Sequence, residues 1–143
     1  MKQKSLIDDL HDIQEEEEKN YLPLNKMIKA AKTTRISEAK VYGVSTFYTM
    51  FSVYPRGKHI IRVCRNLSCH LSDAEKIVEK LKEILNVDFG ETTKDGEFTL
   101  EESSCLGMCS VAPAMTIDDE PFGNLVPENI SEILRKIKED SKK

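Results

Sequence analysis

Residues 58–85 read KHIIRVCRNLSCHLSDAEKIVEKLKEIL, and three patterns follow one another inside them. Lys58–Val63 is a β-branched, apolar run of strand length. Cys64-Arg65-Asn66-Leu67-Ser68-Cys69 then sets two thiols in a short loop, spaced C-x4-C. Ser72 is placed to cap an amphipathic helix with Ala74, Ile77, Val78, Leu81, Ile84 and Leu85 on one face and charged residues on the other. Strand, cysteine loop, helix is half of a crossover unit, and its other half follows. Residues 86–96 form a polar loop ending in the turn pair Asp95-Gly96, and Glu97–Glu102 is a second strand. Ala114–Ile117 and Pro121–Val126 are two more, separated by the acidic turn Asp118-Asp119-Glu120. Pro127 suits the first turn of a closing helix with the stripe Ile130, Ile133, Leu134 and Ile137. The expected order is βαβββα, an α/β layer with a right-handed crossover, a hairpin and a last helix.

Before this segment the period is 3.6. Ser5 precedes Leu6, Ile7, Leu10 and Ile13, with Asp8 three residues on as in a capping box, and Glu15–Glu18 reads as the solvated end of that helix. Tyr21-Leu22-Pro23 breaks it. Leu24, Met27, Ile28 and Ala31 make a second helix. Ser37 is placed to cap a third carrying Ala39, Val41 and Tyr42, with Gly43 as a stop or kink. Val44–Phe51, holding Phe47, Tyr48, Met50 and Phe51, reads as core of a bundle of three or four helices. Tyr54-Pro55-Arg56-Gly57 is the break, so two domains are expected: 1–56, a helical bundle, and 57–143, the α/β domain.

The chain has 143 residues, is 39% apolar and 32% charged, and carries a formal net charge of −4, a soluble globular composition. Residues 1–56 hold 9 Lys/Arg against 8 Asp/Glu and residues 57–143 hold 12 against 17. Without a basic patch, a nucleic-acid partner is not expected. With no leader and no apolar run of about 18 residues, neither is membrane insertion. The expected location is the cytoplasm, where thiols stay reduced. Gly107 and Gly123 stand alone, so no dinucleotide fingerprint is present.

The chain has four cysteines. Cys105 and Cys109, spaced C-x3-C, are separated from Cys69 by 35 residues and lie just past the strand at Glu97–Glu102. All four stand among polar or turn residues, which argues against inert buried thiols. A reducing compartment argues against disulfides. Two loops with two thiols each form a four-thiolate ligand set, open to structural zinc or a 2Fe–2S cluster. Structural zinc knuckles more often use C-x2-C. The wider loops, with backbone N–H groups at Asn66–Cys69 and Leu106–Ser110, favour the cluster. The cluster's negative charge grows by one on reduction, and Arg65, between two ligands, is the candidate for offsetting it, beside the alternative of a solvent-facing side chain. His70, next to Cys69, reads as a helix-entry hydrogen-bond partner, and His11 and His59 as surface residues. No fifth cysteine is available as a nucleophile, so no catalytic residue is expected.

Val41-Tyr42-Gly43-Val44-Ser45-Thr46-Phe47-Tyr48, Gly57–Cys64, Cys69-His70 and Cys105-Leu106-Gly107-Met108-Cys109 leading to Ala112-Pro113 closely resemble the small 2Fe–2S subunit of NADH dehydrogenase (complex I). They also resemble its relatives in NAD(P)-linked iron-only hydrogenases and formate dehydrogenases. The resemblance covers essentially the whole chain. It implies a thioredoxin-like 2Fe–2S domain preceded by a small helical bundle, with Cys64, Cys69, Cys105 and Cys109 as the iron ligands of one cluster. Asn66-Leu67-Ser68 stands where the family often has small residues, and Asn66 suits a positive φ. The implied role is that of an electron-carrying subunit, not catalytic alone, of an NAD(P)-dependent complex, with soluble hydrogenases (electron-bifurcating ones included) placed first. Complex I, formate dehydrogenase and a free-standing ferredoxin are the alternatives. The implied partners are a flavoprotein subunit, which alone binds FMN and NAD(P), and further iron–sulfur subunits. Residues 1–56, rich in apolar and aromatic side chains over Val44–Phe51, are expected to dock on the partner.

Overall fold

Three helices follow from the N-terminal stripes: α1 (Leu6–Glu16), α2 (Leu24–Thr34) and α3 (Glu38–Phe47). The structure is a computed structural model and describes residues 5–141; the ends of both expected domains lie outside these residues. Its chain divides into two units between Lys58 and His59. In the first, Ser5 and Asp8 complete the capping box at α1. Leu10, Leu22, Met27, Ala31, Val41 and Phe51 form the core. Gln14 is buried and fastens the segment after α3: its amide donates to the Met50 carbonyl at 2.9 Å and accepts from the Ser52 N–H at 2.9 Å.

Four expectations for this unit are corrected. Gly43 neither stops nor ends a helix, because α3 runs through it to Phe47. One interior glycine costs about 1 kcal/mol, too little to break a helix whose Val41 face is in the core. Ser37 precedes α3 without a side-chain cap bond. The aromatic run is mostly surface: Phe51 is buried and Val44 packs on the core, whereas Phe47 is 77% exposed and Tyr48 and Met50 are also exposed. Apolar content counts side chains without saying which face carries them. His11 is not a plain surface residue either; its Nε2 lies 3.1 Å from Met50 Sδ and its ring 4.9 Å from Phe51.

The second unit contains β1 (His59–Cys64), α4 (Leu67–Leu71), α5 (Ala74–Leu85), β2 (Phe98–Ser103), β3 (Met115–Ile117), β4 (Glu120–Phe122) and α6 (Pro127–Asp140). The sheet order is β2-β1-β3-β4. β1 and β2 are parallel, with Cys64 opposite Ser103, and β3 is antiparallel to both β1 and β4. Side chains alternate across a strand. One face therefore collects Ile61, Val63, Phe98, Leu100, Met115 and Ile117, and α5 and α6 cover it with Ile77, Val78, Leu81, Ile130 and Leu134. On the other face Arg62 pairs with its cross-strand neighbour Glu101 at 3.1 Å.

The expected strand–helix order holds, with local differences. β4 takes in Glu120 from the expected turn and ends at Phe122, short of the expected Val126. The first cysteine loop contains the short helix α4. Ser72 closes that helix, its N–H donating to the Cys69 carbonyl at 3.1 Å, and does not cap α5. Asp73, in the left-handed region at φ 65°, precedes α5 instead. His59 is no surface residue: its Nδ1 lies 2.7 Å from Asp118 Oδ2 and its Nε2 2.5 Å from Ser141 Oγ, beside the Phe98 ring.

Candidate metal centre

Parallel strands bring both cysteine pairs to one place. β1 ends at Cys64 and β2 at Ser103, so the C-terminal ends of two neighbouring strands deliver Cys64 directly and Cys105 two residues further on. Asn66 turns the chain after β1. Its φ is −73°, so its tolerance of a positive φ is not called on; its side chain instead accepts from the Leu67 N–H at 2.8 Å and starts α4. Asn is a favoured capping residue for this reason. Cys69 sits on α4. Cys109 opens a 3₁₀ turn, Cys109–Val111, that leads to the cis Ala112–Pro113 peptide. Gly107, at φ 77°, makes the reversal between Cys105 and Cys109 that an L side chain would strain.

All four cysteines are free thiols. Cys64 and Cys69 are 2% and 1% exposed and share a small apolar cluster with Ala74 and Ala114, against which Leu106, Met108 and Ala112 pack. Cys105 and Cys109 are exposed, with Sγ atoms 3.8 Å apart. Two thiolates on one tetrahedral metal at about 2.3 Å stand about 3.8 Å apart, so this pair is already spaced for one metal atom. The Gly107 N–H points at Cys105 Sγ at 3.4 Å.

Burial pushes the Cys64 thiol up. The backbone N–H groups of Asn66 and Leu106 and the thiols of Cys69 and Cys105 outweigh that and leave it below the ordinary value. Burial, and then the neighbouring Cys64 sulfur, raise Cys69. Of the two, Cys64 is the readier to ionise. N–H donors aimed at sulfur stabilise anionic sulfur, which suits a soft, thiolate-bound metal group. Among the described residues no three His, Cys, Asp or Glu side chains surround a single point as they would one ion. A two-iron body asks for something else, two thiolates at each iron and bridging sulfides between. The donor set fits that group.

Arg65 is engaged by two carboxylates. Its guanidinium reaches Glu102 at 3.2 Å and Glu75 at 3.4 Å and lies 5.5 Å from the Phe89 ring centroid. Arg65 is thus neither a bare cation nor a plain solvent-facing side chain. The His70 imidazole is exposed, and its local bonds are main-chain ones: its N–H donates to the Asn66 carbonyl at 2.9 Å and its carbonyl accepts from the Asp73 N–H at 3.2 Å. The expected side-chain bond is not made. Glu75 and Glu102 do not stand out along the chain. Their signal is faint, one acid in the first turn of the helix after the first pair and one near the end of the strand before the second.

Two parallel strand ends that each lead to a loop with two thiols make an α/β unit able to hold a thiolate-bound metal group. Residues 1–138 match the thioredoxin-like 2Fe-2S ferredoxin family. The chain belongs to that family, and its cofactor is the single 2Fe–2S cluster the family is named for. It is 37% identical over 114 residues to the NADP-reducing hydrogenase subunit HndA of Solidesulfovibrio fructosivorans, covering 80% of this chain and 67% of that one. It is 34% identical to a subunit of the NADH-quinone oxidoreductase of Pseudomonas aeruginosa, covering 83% of this chain and 72% of that one. An NAD+-reducing NiFe hydrogenase superposes with a TM-score of 0.81 at 18% identity over 94% of this chain. That likeness shows the fold. This chain spans about a quarter (23%) of the hydrogenase chain. Among the described residues no helix is long and apolar enough to cross a membrane.

Proposed function

We propose that this chain is the electron-transfer subunit of a multi-subunit NAD(P)-linked oxidoreductase, a soluble cytoplasmic hydrogenase first of all. Cys64, Cys69, Cys105 and Cys109 hold its 2Fe–2S cluster, which when bound takes up and passes on single electrons. The observation that carries this reading is the meeting of both thiol pairs at the ends of two parallel strands, one pair buried and the other open to solvent. The buried pair anchors the group, and the exposed pair leaves it within reach of a partner's redox centre. That partner is a flavoprotein subunit carrying FMN and the NAD(P) site, beside further iron–sulfur subunits. Residues 1–56 and 57–143 act as separate domains, and the first docks on the partner. The exposed Phe47, Tyr48 and Met50 support that docking role, having no place in the unit's own core.

Anaerobic reconstitution tests the ligand set. Two irons and two acid-labile sulfides per chain are expected, with a one-electron EPR signal on reduction, and replacing any of the four cysteines by Ser should alter or abolish that signal. A colourless protein holding one zinc would overturn the reading. The NADH-quinone oxidoreductase relatives keep a complex I role as the second reading. Proteins that co-purify with the full chain distinguish it: a hydrogenase catalytic subunit supports the first, a quinone-linked membrane arm the second, and no partner at all a free-standing ferredoxin.

A further inference from the structure

The end of the sheet opposite the cysteines carries a second feature. β1 and β2 run from His59 and Phe98 toward the thiols, and six residues of strand span about 20 Å. At the Phe98 end, the last turn of α5, residues 93–95 and one face of α6 enclose a groove of about 490 Å³, a size usual for small-ligand sites. Its floor is apolar, made by Ile84, Leu85, Phe98 and Leu134. Ile84 remains 38% exposed there. Its rim is cationic, with Lys94, Arg135 and Lys138 against a single carboxylate, Asp95. That carboxylate is committed: it bonds to Lys138 at 2.8 Å and to the Thr93 hydroxyl at 2.5 Å. Arg135 has one long contact, 3.9 Å to Glu139, and also lies near Glu132, and Lys94 has no ion-pair partner among the described residues.

This positive rim runs against the charge of its surroundings. Residues 59–143 hold 11 Lys/Arg against 17 Asp/Glu, yet three cations gather around one apolar groove. Cations beside an apolar floor complement a ligand that is itself apolar and negatively charged. We infer that this groove is a binding site for a small organic anion with a flat apolar body. The body lies against the exposed Ile84, over the buried Leu134 and Phe98, and the acid group faces Arg135 and Lys94. The site is independent of the cysteines, but α5 joins the two regions. Ile84 and Leu85 line the groove, and Ala74, at the other end of the same helix, is buried with Cys64 and Cys69.

Titration of the cluster-loaded protein with 8-anilino-1-naphthalenesulfonate, followed by fluorescence and by backbone amide shifts, tests this. Saturable binding is expected, with shifts concentrated at residues 84–86, 93–95 and 131–138. Its neutral relative N-phenyl-1-naphthylamine should bind at least tenfold more weakly. Ser131→Trp, at an exposed position on the groove wall, should block binding. The exposed pair Lys94→Gln with Arg135→Gln should weaken it at least tenfold, with unchanged circular dichroism confirming the fold of each variant. No binding at millimolar probe, equal binding of the neutral relative, undiminished binding in the variants, or shifts mapping elsewhere would each overturn the inference.

Discussion

Gly123→Ala is expected to destabilise the second unit and to loosen Cys109. Gly123 follows β4 and passes close to the 3₁₀ turn that carries Cys109. A Cβ placed on it would lie 2.5 Å from Val111 Cγ2, 2.7 Å from Val111 Cβ and 2.9 Å from the Val111 carbonyl oxygen. A rotamer change at Val111 relieves only the first contact. The other two involve the backbone and Cβ, and that backbone is held in place by the 2.6 Å bond from the Asn124 N–H to the Val111 carbonyl. Two effects compete. Gly→Ala at a permitted φ stabilises by about 0.4–1 kcal/mol through the unfolded chain. Overpacking of this kind costs about 1–3 kcal/mol, and contacts that no side chain can relieve belong in the upper part of that range. The clash wins, with a net loss of about 2 kcal/mol. For a unit of this size that lowers Tm by roughly 8–16 °C. Thermal unfolding of the apo-protein by circular dichroism reads this directly, and chelator-driven loss of visible absorbance reads the displacement of Cys109. Val111→Ala in the same chain should recover only part of the loss, because it removes Cγ2 and leaves the other two contacts. A Gly123→Ala protein melting within about 2 °C of the parent, well inside the 4–8 °C that 1 kcal/mol brings, would refute the reasoning.

Other perturbations probe separate parts. Gln14→Ala removes the amide that serves Met50 and Ser52 and strands two partly buried backbone groups, which should cost about 1–3 kcal/mol, measured as a lower urea midpoint. Asp95 is held down to about 2 by the Lys138 ammonium first and the Thr93 hydroxyl next. Its folded pKa lies below the unfolded one, so it contributes stability above about pH 4 that is lost as pH falls through 2. With the side chain half exposed the amount is under about 1 kcal/mol, and Asp95→Asn should flatten the stability profile across that window. Arg65→Ala withdraws the charge shared by Glu75 and Glu102 and should lower the midpoint potential of the reconstituted cluster, while Glu102→Gln should raise it. Potentials unchanged in both would remove Arg65 from any electrostatic role.

Much of this protein is legible along the chain wherever one residue's environment depends on its near neighbours. The Ser5–Asp8 box, the stripe of α5 and Pro127 at the head of α6 are local patterns, and the structure reproduces all three elements. Gly43 and Ser72 show the limit of local reading: each has a boundary signal that packing overrides, since α3 continues past the glycine and the serine closes the unforeseen α4. The aromatic run Phe47–Phe51 shows the same limit, because burial depends on which residues another helix covers.

Donor chemistry was already written in the order of residues: four thiols in two loops leave few cofactors that such a chain is able to hold. How the thiols differ from one another came from the folded arrangement alone. The parallel pairing of β1 with β2 joins segments distant in the chain, buries Cys64 and Cys69 beside Ala74 and Ala114, and leaves Cys105 and Cys109 at the surface. It also turns Arg65 onto Glu75 and Glu102. Spacing along a chain reports which atoms are available, whereas exposure and charge pairing are set by whatever the fold brings alongside them.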